Sequence, residues 1–379
     1  MQALRITKPG LAEIADIDVP VPAQGEVAID VAYVGYCGSD LTSYRGLNPL
    51  VSYPRVPGHE IAGTVAAVGP GVDGLEIGQS VTVIPYFNCG QCKACRGGKP
   101  NACALNETMG VQREGAMTGR VVVPAGKVLP VDGMALRDLA LIEPCAVGFH
   151  AVRRAAVTNG ETVLVLGCGM IGLGIIMGAL RAGATVISAD LSPGKLETAK
   201  ALGAAHVLEG GAGLGDRLRA LVPEGPDVVI EAVGAEATFL QAVDLVASTG
   251  RVVYVGYAKA PIAYDTKVFL TKELDIRGSR NATPADFEAV IEWLSTHPGA
   301  GDLVVSETVS LEDAPVPSRP GTRRRATSPR SWSSSAHSRW HISPSGCSVA
   351  TRTEEDPCWT PRLSRNQALP LRHCPMTSV

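Results

Sequence analysis

The stretch TVLVLGCGMIGLGIIMGAL, residues 162–180, decides how this chain folds. Its apolar length suffices to span a bilayer. Five glycines interrupt it, however, and they are spaced for a turn. It therefore reads as a buried strand, a tight turn and a helix. Gly167-Cys168-Gly169-Met170-Ile171-Gly172 then forms a G-x-G-x-x-G at the strand-to-helix junction. Gly167 allows the turn, Gly169 lets a pyrophosphate approach the helix N-terminus, and Gly172 lets helix and strand pack closely. Asp190 ends the following strand, where a carboxylate bonds both ribose hydroxyls of NAD and repels the 2′-phosphate of NADP. No arginine follows it closely and Lys195 lies a turn further on, so NAD is the expected cofactor.

Downstream, strand-like and helix-like runs alternate. TVISAD, HVLEG, DVVIEAVG, RVVYVG and ELDIRGS read as strands. SPGKLETAKALGA and EATFLQAVDLVASTG read as helices, the first capped by Ser192 and the second ended by Gly250. That order predicts a doubly wound parallel sheet, an α/β Rossmann domain, over residues 151–278. PADFEAVIEWLSTHPG reads as one more helix and LVVSETVSL as a strand.

Upstream, residues 1–150 are rich in Val, Gly and Pro. EVAIDVAYVG, IAGTVAAVGPGV and QSVTVIPY read as strands of a β-rich, barrel-like domain. Within it Cys89, Cys92, Cys95 and Cys103 are spaced C-x2-C-x2-C-x7-C, in a lobe of about residues 86–104. Four thiolates close a tetrahedral shell around zinc, which makes such a site structural. An iron–sulfur cluster is the competing ligand, although the bacterial ferredoxin run has a different last spacing.

The chain has 379 residues, 45% of them hydrophobic and 19% charged, with a formal net charge of −3. That length suits two domains, and that balance gives no sign of a nucleic-acid or membrane partner. The start has no charged segment followed by an apolar one, so a cytoplasmic protein is expected.

Three upstream fragments complete the pattern: YCGSD with Cys37, Ser39 and Asp40, PGHEIAGTV with His59 and Glu60, and LIEPCAVGFHA with Glu143. Together with the cysteine lobe and the glycine fingerprint, they stand in the order found in the zinc-dependent medium-chain dehydrogenases. Residues 1–314 resemble that family. The resemblance implies a GroES-like barrel domain plus a Rossmann domain, with the active site in the cleft between them. It makes Cys37 and His59 ligands of a catalytic zinc. Glu60 and Glu143 match two further acidic positions; in the polyol branch one binds the metal and the other reaches it through water or replaces it. The alcohol dehydrogenase branch has a cysteine in place of Glu143. Cys145 is left as structural. YRGLNPLVSYPRVPGHE, PYFNCGQCKACRGGKPNAC and KELDIRGSRNAT look like the sugar-acid and polyol members, the L-gulonate, L-galactonate, L-idonate and sorbitol dehydrogenases. Threonine and simple diol dehydrogenases share C-G-[ST]-D and G-H-E and are the alternative.

By the same resemblance Ser39 is a proton-relay hydroxyl, and the relay histidine of some members falls at Thr42. Asp40 is expected to orient His59. Arg280, just after the last Rossmann strand, is a candidate clamp for a substrate carboxylate or hydroxyl pair, with Asn281 beside it. The substrate is thus a small sugar acid or polyol, and a homodimer or homotetramer is expected.

Residues 279–314 return to the barrel domain. At Pro315 the pattern stops. The 65 residues from there hold 9 prolines, 12 serines and 10 arginines, no lysine, and three acids, a charge of +7. Such a segment cannot bury a core and reads as disordered. Its composition is that of a GC-rich gene translated in the wrong frame, where family members have a helix and a last strand. A catalytically impaired zinc- and NAD-binding protein is the alternative of another class.

Overall fold

The computed structural model describes residues 1–311, 313, 314 and 339–342, all within one compact unit, Met1–Gly346. The barrel sheet starts with the long strand β1 (Glu26–Tyr36), which runs into helix α1 (Gly38–Tyr44). Strands β2 (Glu60–Val68), β3 (Ser80–Val83), β4 (Arg120–Pro124) and β5 (Val128–Pro130) follow. All are antiparallel, in the order β1-β2-β3-β5, and β4 pairs with β1. The β1–β2 register shifts between Ala28 and Ile29 and again between Val31 and Tyr33. Such bulges bend a sheet so that it can curl around its own side chains. Val27, Ile29, Val31, Ile61, Val81 and Met117 fill that core.

Helix α2 (Ile142–Ala155) links the two halves. The expected boundary at residue 150 falls inside it. Glu143 and Pro144 lie in its first turn, where proline is tolerated because its missing N–H has no intrahelical partner.

Residues 162–180 divide as expected. Strand β6 (Thr162–Leu166) feeds helix α3 (Met170–Arg181) through the glycine turn. Val163 and Val165 face one core cluster, while Leu164 and Leu166 face another. A strand covered on both faces needs no polar alternation, which is why the segment looked apolar enough for a membrane. Strands β7 (Thr185–Asp190), β8 (His206–Glu209), β9 (Val228–Glu231), β10 (Arg251–Tyr254) and β11 (Asp275–Gly278) complete a parallel sheet ordered β8-β7-β6-β9-β10-β11. Strand order reverses beside β6, the point at which such sheets bind ligands. No helix among the described residues is long and apolar enough to cross a membrane.

The helix expected to run to Gly250 covers Glu236–Leu245, because Val246 turns to an extended conformation with its side chain in the core. Helix α4 (Pro284–Thr296) packs Phe287 and Val290 into the core shared with α2. The strand expected over LVVSETVSL is shorter. Val304 is fully buried as the last residue of a helical turn, Ala300–Val304, and only β12 (Glu307–Ser310) is extended.

From the tail, Arg339–Ile342 form a strand, β13, between β12 and β1, parallel to β1. Backbone ladders use N–H and C=O groups alone, so a segment of any composition can complete such an edge. The remainder of the tail, on which the reading of disorder and of a shifted frame rests, lies outside the described residues.

Candidate metal and cofactor sites

Two groups of metal-ligating side chains converge among the described residues. In the first, Cys89, Cys92, Cys95 and Cys103 bring their sulfurs within 4.8 Å of one another. The Cys92–Cys95 and Cys89–Cys103 sulfurs lie 3.5 Å apart, and Cys92–Cys103 lie 3.9 Å apart. Zn–S bonds of ~2.3 Å in a tetrahedron require S···S edges of about 3.8 Å. The lobe therefore has the dimensions of a single four-coordinate ion, and several irons and sulfides would need the thiols further apart. Backbone N–H groups of Ala104 and Cys95 pull the Cys92 thiol down to about 6, toward the thiolate that a metal binds.

In the second, Cys37, His59 and Glu60 converge within 4.8 Å. Cys37 is the N-cap of α1, set at the end of β1; His59 immediately precedes β2 and Glu60 opens it, and β2 pairs with β1. Gly35 lies directly opposite Glu60, and a Cβ on it would meet the Glu60 carboxylate oxygen at 1.8 Å. Only a residue without a side chain lets that carboxylate lie across β1.

Glu143 comes from the first turn of α2 and stands outside that three-residue group. It accepts a hydrogen bond from the buried Tyr86 hydroxyl. Tyr86 is a member of the site that the sequence reading missed. It sits 57 residues from its partner, a separation that leaves no local signal in the sequence.

Asp40 has partners beyond the expected one. Its two oxygens accept the backbone N–H groups of Cys37 (3.0 Å) and Gly58 (3.1 Å). Its carboxylate is 4.0 Å from His59 Nδ1, which has no hydrogen-bond partner. It thus pins the backbone on both sides of the cluster and faces the imidazole as an ion pair at 4.0 Å. Ser39 Oγ is buried without a partner, and the Thr42 hydroxyl donates to the Ser39 carbonyl within α1.

Cys37, Asp40, Glu60 and Glu143 are four acidic groups around one imidazole, the three carboxyls buried and the thiol half-buried. Burial raises the Cys37 thiol and the Asp40 and Glu143 carboxyls. Burial, and then the charge of Glu143, push Glu60 up to about 8. Burial opposes protonation of His59, but Cys37, Asp40 and Glu143 outweigh it and hold the imidazole well above its ordinary value. Burying uncompensated anions is costly, and a divalent cation relieves that cost. The donor set, thiol, imidazole and carboxylate, is that of an open zinc site with room for a further ligand.

One consequence is measurable on metal-stripped protein. The folded chain keeps a proton on Glu60 up to pH about 8, and the unfolded chain releases it near 4.5. The folded state thus binds more protons between those values, so stability falls as pH rises from about 4.5 to about 8. Thermal melts of chelated protein will show this slope, and Glu60→Gln will flatten it. A slope equal in both proteins would remove Glu60 as its source.

At the glycine turn, Gly167 adopts φ +96° and Gly169 is the N-cap of α3, so the first-turn N–H groups of α3 have no intrahelical acceptor. Asp190 accepts from the N–H groups of Cys168 (2.8 Å) and Ser192 (2.9 Å), with Lys195 Nζ 4.0 Å away. The cradle for a dinucleotide is therefore braced by the acid expected to read its ribose.

Arg280 is exposed, and among the described residues its guanidinium makes no hydrogen bond or ion pair. Its carbonyl accepts from Asn101 Nδ2 at 2.9 Å. Asn281 adopts φ +51° and donates to the Asn101 carbonyl at 3.4 Å, which commits its side chain to the lobe.

Comparison with known proteins agrees with this geometry. Residues 23–133 match the alcohol dehydrogenase GroES-like domain and residues 171–296 the zinc-binding dehydrogenase domain. The chain is 40% identical to L-galactonate-5-dehydrogenase of Escherichia coli K12, over 76% of this chain and 86% of that protein. It is 33% identical to a sorbitol dehydrogenase of Halalkalibacterium halodurans, over 78% and 88%. Among solved structures, an alcohol dehydrogenase (rspB) of Escherichia coli CFT073 complexed with NADH superposes with a TM-score of 0.74 at 34% identity, covering 78% and 88%.

Proposed function

The chain belongs to the zinc-dependent alcohol dehydrogenase family, and from that premise we propose that it oxidises a secondary hydroxyl of a sugar acid or polyol to the ketone, with NAD+ as acceptor. The observation that carries this reading is the convergence of the half-buried Cys37 with the buried His59 and Glu60 beside an unpartnered Ser39 hydroxyl. Cys37, His59 and Glu60 hold the catalytic zinc, and Cys89, Cys92, Cys95 and Cys103 the structural one. Gly167, Gly169, Met170, Ile171, Gly172 and Asp190 hold the dinucleotide. When bound, zinc supplies Lewis acidity to a hydroxyl and NAD+ accepts the hydride.

The protein's own groups do the rest. Asp40 fixes the backbone of Cys37 and Gly58, so the ligands are preorganised before substrate arrives. Ser39 Oγ, with free donor and acceptor capacity, takes the proton that the alcohol loses. Thr42 is spent on the helix, so the proton leaves from Ser39 by another route. Tyr86 holds Glu143 at the edge of the site. The unengaged Arg280 guanidinium suits a carboxylate or vicinal hydroxyls. The names of the two relatives, a galactonate and a sorbitol dehydrogenase, support that substrate class.

Among the described residues, strand β11 is one of the two edges of the parallel sheet, with Asp275 and Ile276 exposed. An edge of this kind pairs readily with a second copy, and sedimentation equilibrium will report a dimer or a multiple of it.

A substrate panel tests the reaction. Purified protein will reduce NAD+ with aldonates or polyols, and NADP+ at least tenfold less well because Asp190 repels its 2′-phosphate. Turnover confined to threonine or simple diols moves the enzyme to that branch. No turnover in a protein carrying two zincs and NAD+ leaves the impaired reading.

A further inference from the structure

One buried polar network lies outside both metal groups. It joins the four-cysteine lobe, helix α2 and the loop that follows the Rossmann sheet. Asn101 stands two residues before Cys103, in the short turn Pro100–Ala102, and is 7% exposed. Its Nδ2 is 2.9 Å from the Arg280 carbonyl and 3.0 Å from His150 Nε2. A carbonyl can only accept, so the Asn101 nitrogen donates to it. The same NH2 group then donates its second hydrogen to His150, whose Nε2 must accept. That places the imidazole proton on Nδ1, which donates to Asp286 Oδ2 at 2.9 Å. Burial alone would raise Asp286, but bonds from His150, Arg153 and Thr283 outweigh it and keep the carboxyl well below its usual value. Arg153 Nη2 also lies 3.0 Å from His150 Nδ1, but an arginine can only donate, and its two hydrogens are taken by Thr283 Oγ1 and Asp286 Oδ2, each at 2.8 Å, so Nδ1 keeps its proton for Asp286.

His150 is seven residues along α2 from Glu143, two turns on the same face of the helix. Arg280 is the residue whose carbonyl Asn101 holds. One amide thus grips the helix that carries Glu143 and the loop that carries Arg280, and its own position depends on the fold of the cysteine lobe.

We propose that Asn101 is a positioning residue that transmits the order of the four-cysteine lobe to the Arg280 loop, so that the lobe sets the affinity for substrate as well as the stability of the barrel. This rests on the reading of Arg280 as the substrate clamp. Cys37, His59 and Glu60 are held by β1, α1 and β2, and the dinucleotide turn by β6 and α3, and no hydrogen bond of the network reaches these elements. Its loss will therefore act on substrate and spare the catalytic metal and NAD+.

The test uses the zinc-loaded full chain with Asn101→Asp, which keeps the shape but cannot donate to the Arg280 carbonyl, and with Asn101→Ala, which removes both bonds. Each will raise the substrate KM about tenfold. The kcat will stay within about threefold, the Kd for NAD+ within twofold, and zinc at two per chain. Hydrogen–deuterium exchange will rise in the peptide covering residues 278–283, and it will rise equally in wild-type protein whose lobe metal has been removed. This last readout needs no turnover, so it stands even if the substrate reading fails. An unchanged KM with unchanged exchange overturns the proposal. So does a parallel loss of zinc, NAD+ binding and substrate affinity, which makes Asn101 a structural residue only. Arg280→Ala is measured alongside. If it leaves KM unchanged while Asn101→Asp raises it, the clamp reading falls and the loop as a whole is what Asn101 positions.

Discussion

Cys37→Ser removes NAD+ reduction, by on the order of 1,000-fold or more, and leaves NAD+ binding where it was. On the proposed assignment the thiolate is one of three protein donors to the catalytic zinc. A serine hydroxyl is a poor substitute because it does not ionise near neutral pH. The local fold should survive the change. The backbone N–H of residue 37 still donates to Asp40, and α1 keeps its cap, since serine is a favoured N-cap residue. The dinucleotide turn is built from a different sheet and shares no hydrogen bond with α1. Metal analysis should find zinc falling from two to one per chain, while calorimetry gives the wild-type Kd for NAD+. Activity retained with one zinc per chain would sink the assignment of Cys37.

Gly172→Ala gives the complementary result: NAD+ binding weakens on the order of 100-fold, about 3 kcal/mol, and both zincs remain. A Cβ at residue 172 would lie 1.8 Å from the Gly167 carbonyl oxygen and 2.8 Å from its carbon. Both are backbone atoms, so no rotamer change relieves the overlap. Gly167 already sits at φ +96°, a conformation that few other residues adopt. The turn must shift, and the N–H groups at the start of α3 shift with it, away from the pyrophosphate. Gly194→Ala is the control. It also lies in the first turn of a Rossmann helix, yet nothing stands within 4 Å of its added Cβ. It should leave NAD+ binding unchanged and stabilise the helix by roughly 0.5–1 kcal/mol. Equal losses from both substitutions would mean that residue 172 is sensitive through general helix stability and not through the cradle.

The two experiments separate the two halves of the proposed chemistry. One removes the reaction and keeps the cofactor; the other removes the cofactor and keeps the metal. Results that fail to separate in this way would mean that the two sites depend on each other through the shared core of α2, α3 and α4.

How much of this was legible beforehand differs between the sites. The glycine turn and the cysteine lobe each lie within a short run of chain, so spacing alone placed them. Glu143 was legible only through its neighbours in the family order, and its place in the first turn of a long helix came from the structure. Tyr86 had no signal, since a strand-end tyrosine is an ordinary core residue until its hydroxyl meets a carboxylate. Asp40 gained partners that spacing did not show. One oxygen closes the capping box of α1 with the Cys37 N–H and the other accepts from Gly58 N–H, with His59 Nδ1 4.0 Å away.

By itself, then, the sequence determined what short-range periodicity and spacing can carry. It specified a parallel sheet from strands alternating with helices, a nucleotide turn from three glycines, and a metal lobe from four cysteines. The tertiary structure decided everything that depends on contacts across long separations. It brought Glu60 within 4.8 Å of Cys37 and His59, gave Glu143 the Tyr86 hydroxyl as a partner, and tied Asn101 to His150 and Arg280 across 49 and 179 residues. Strand pairing and helix packing bring such groups together, and a hydrogen bond between them leaves no period in the chain.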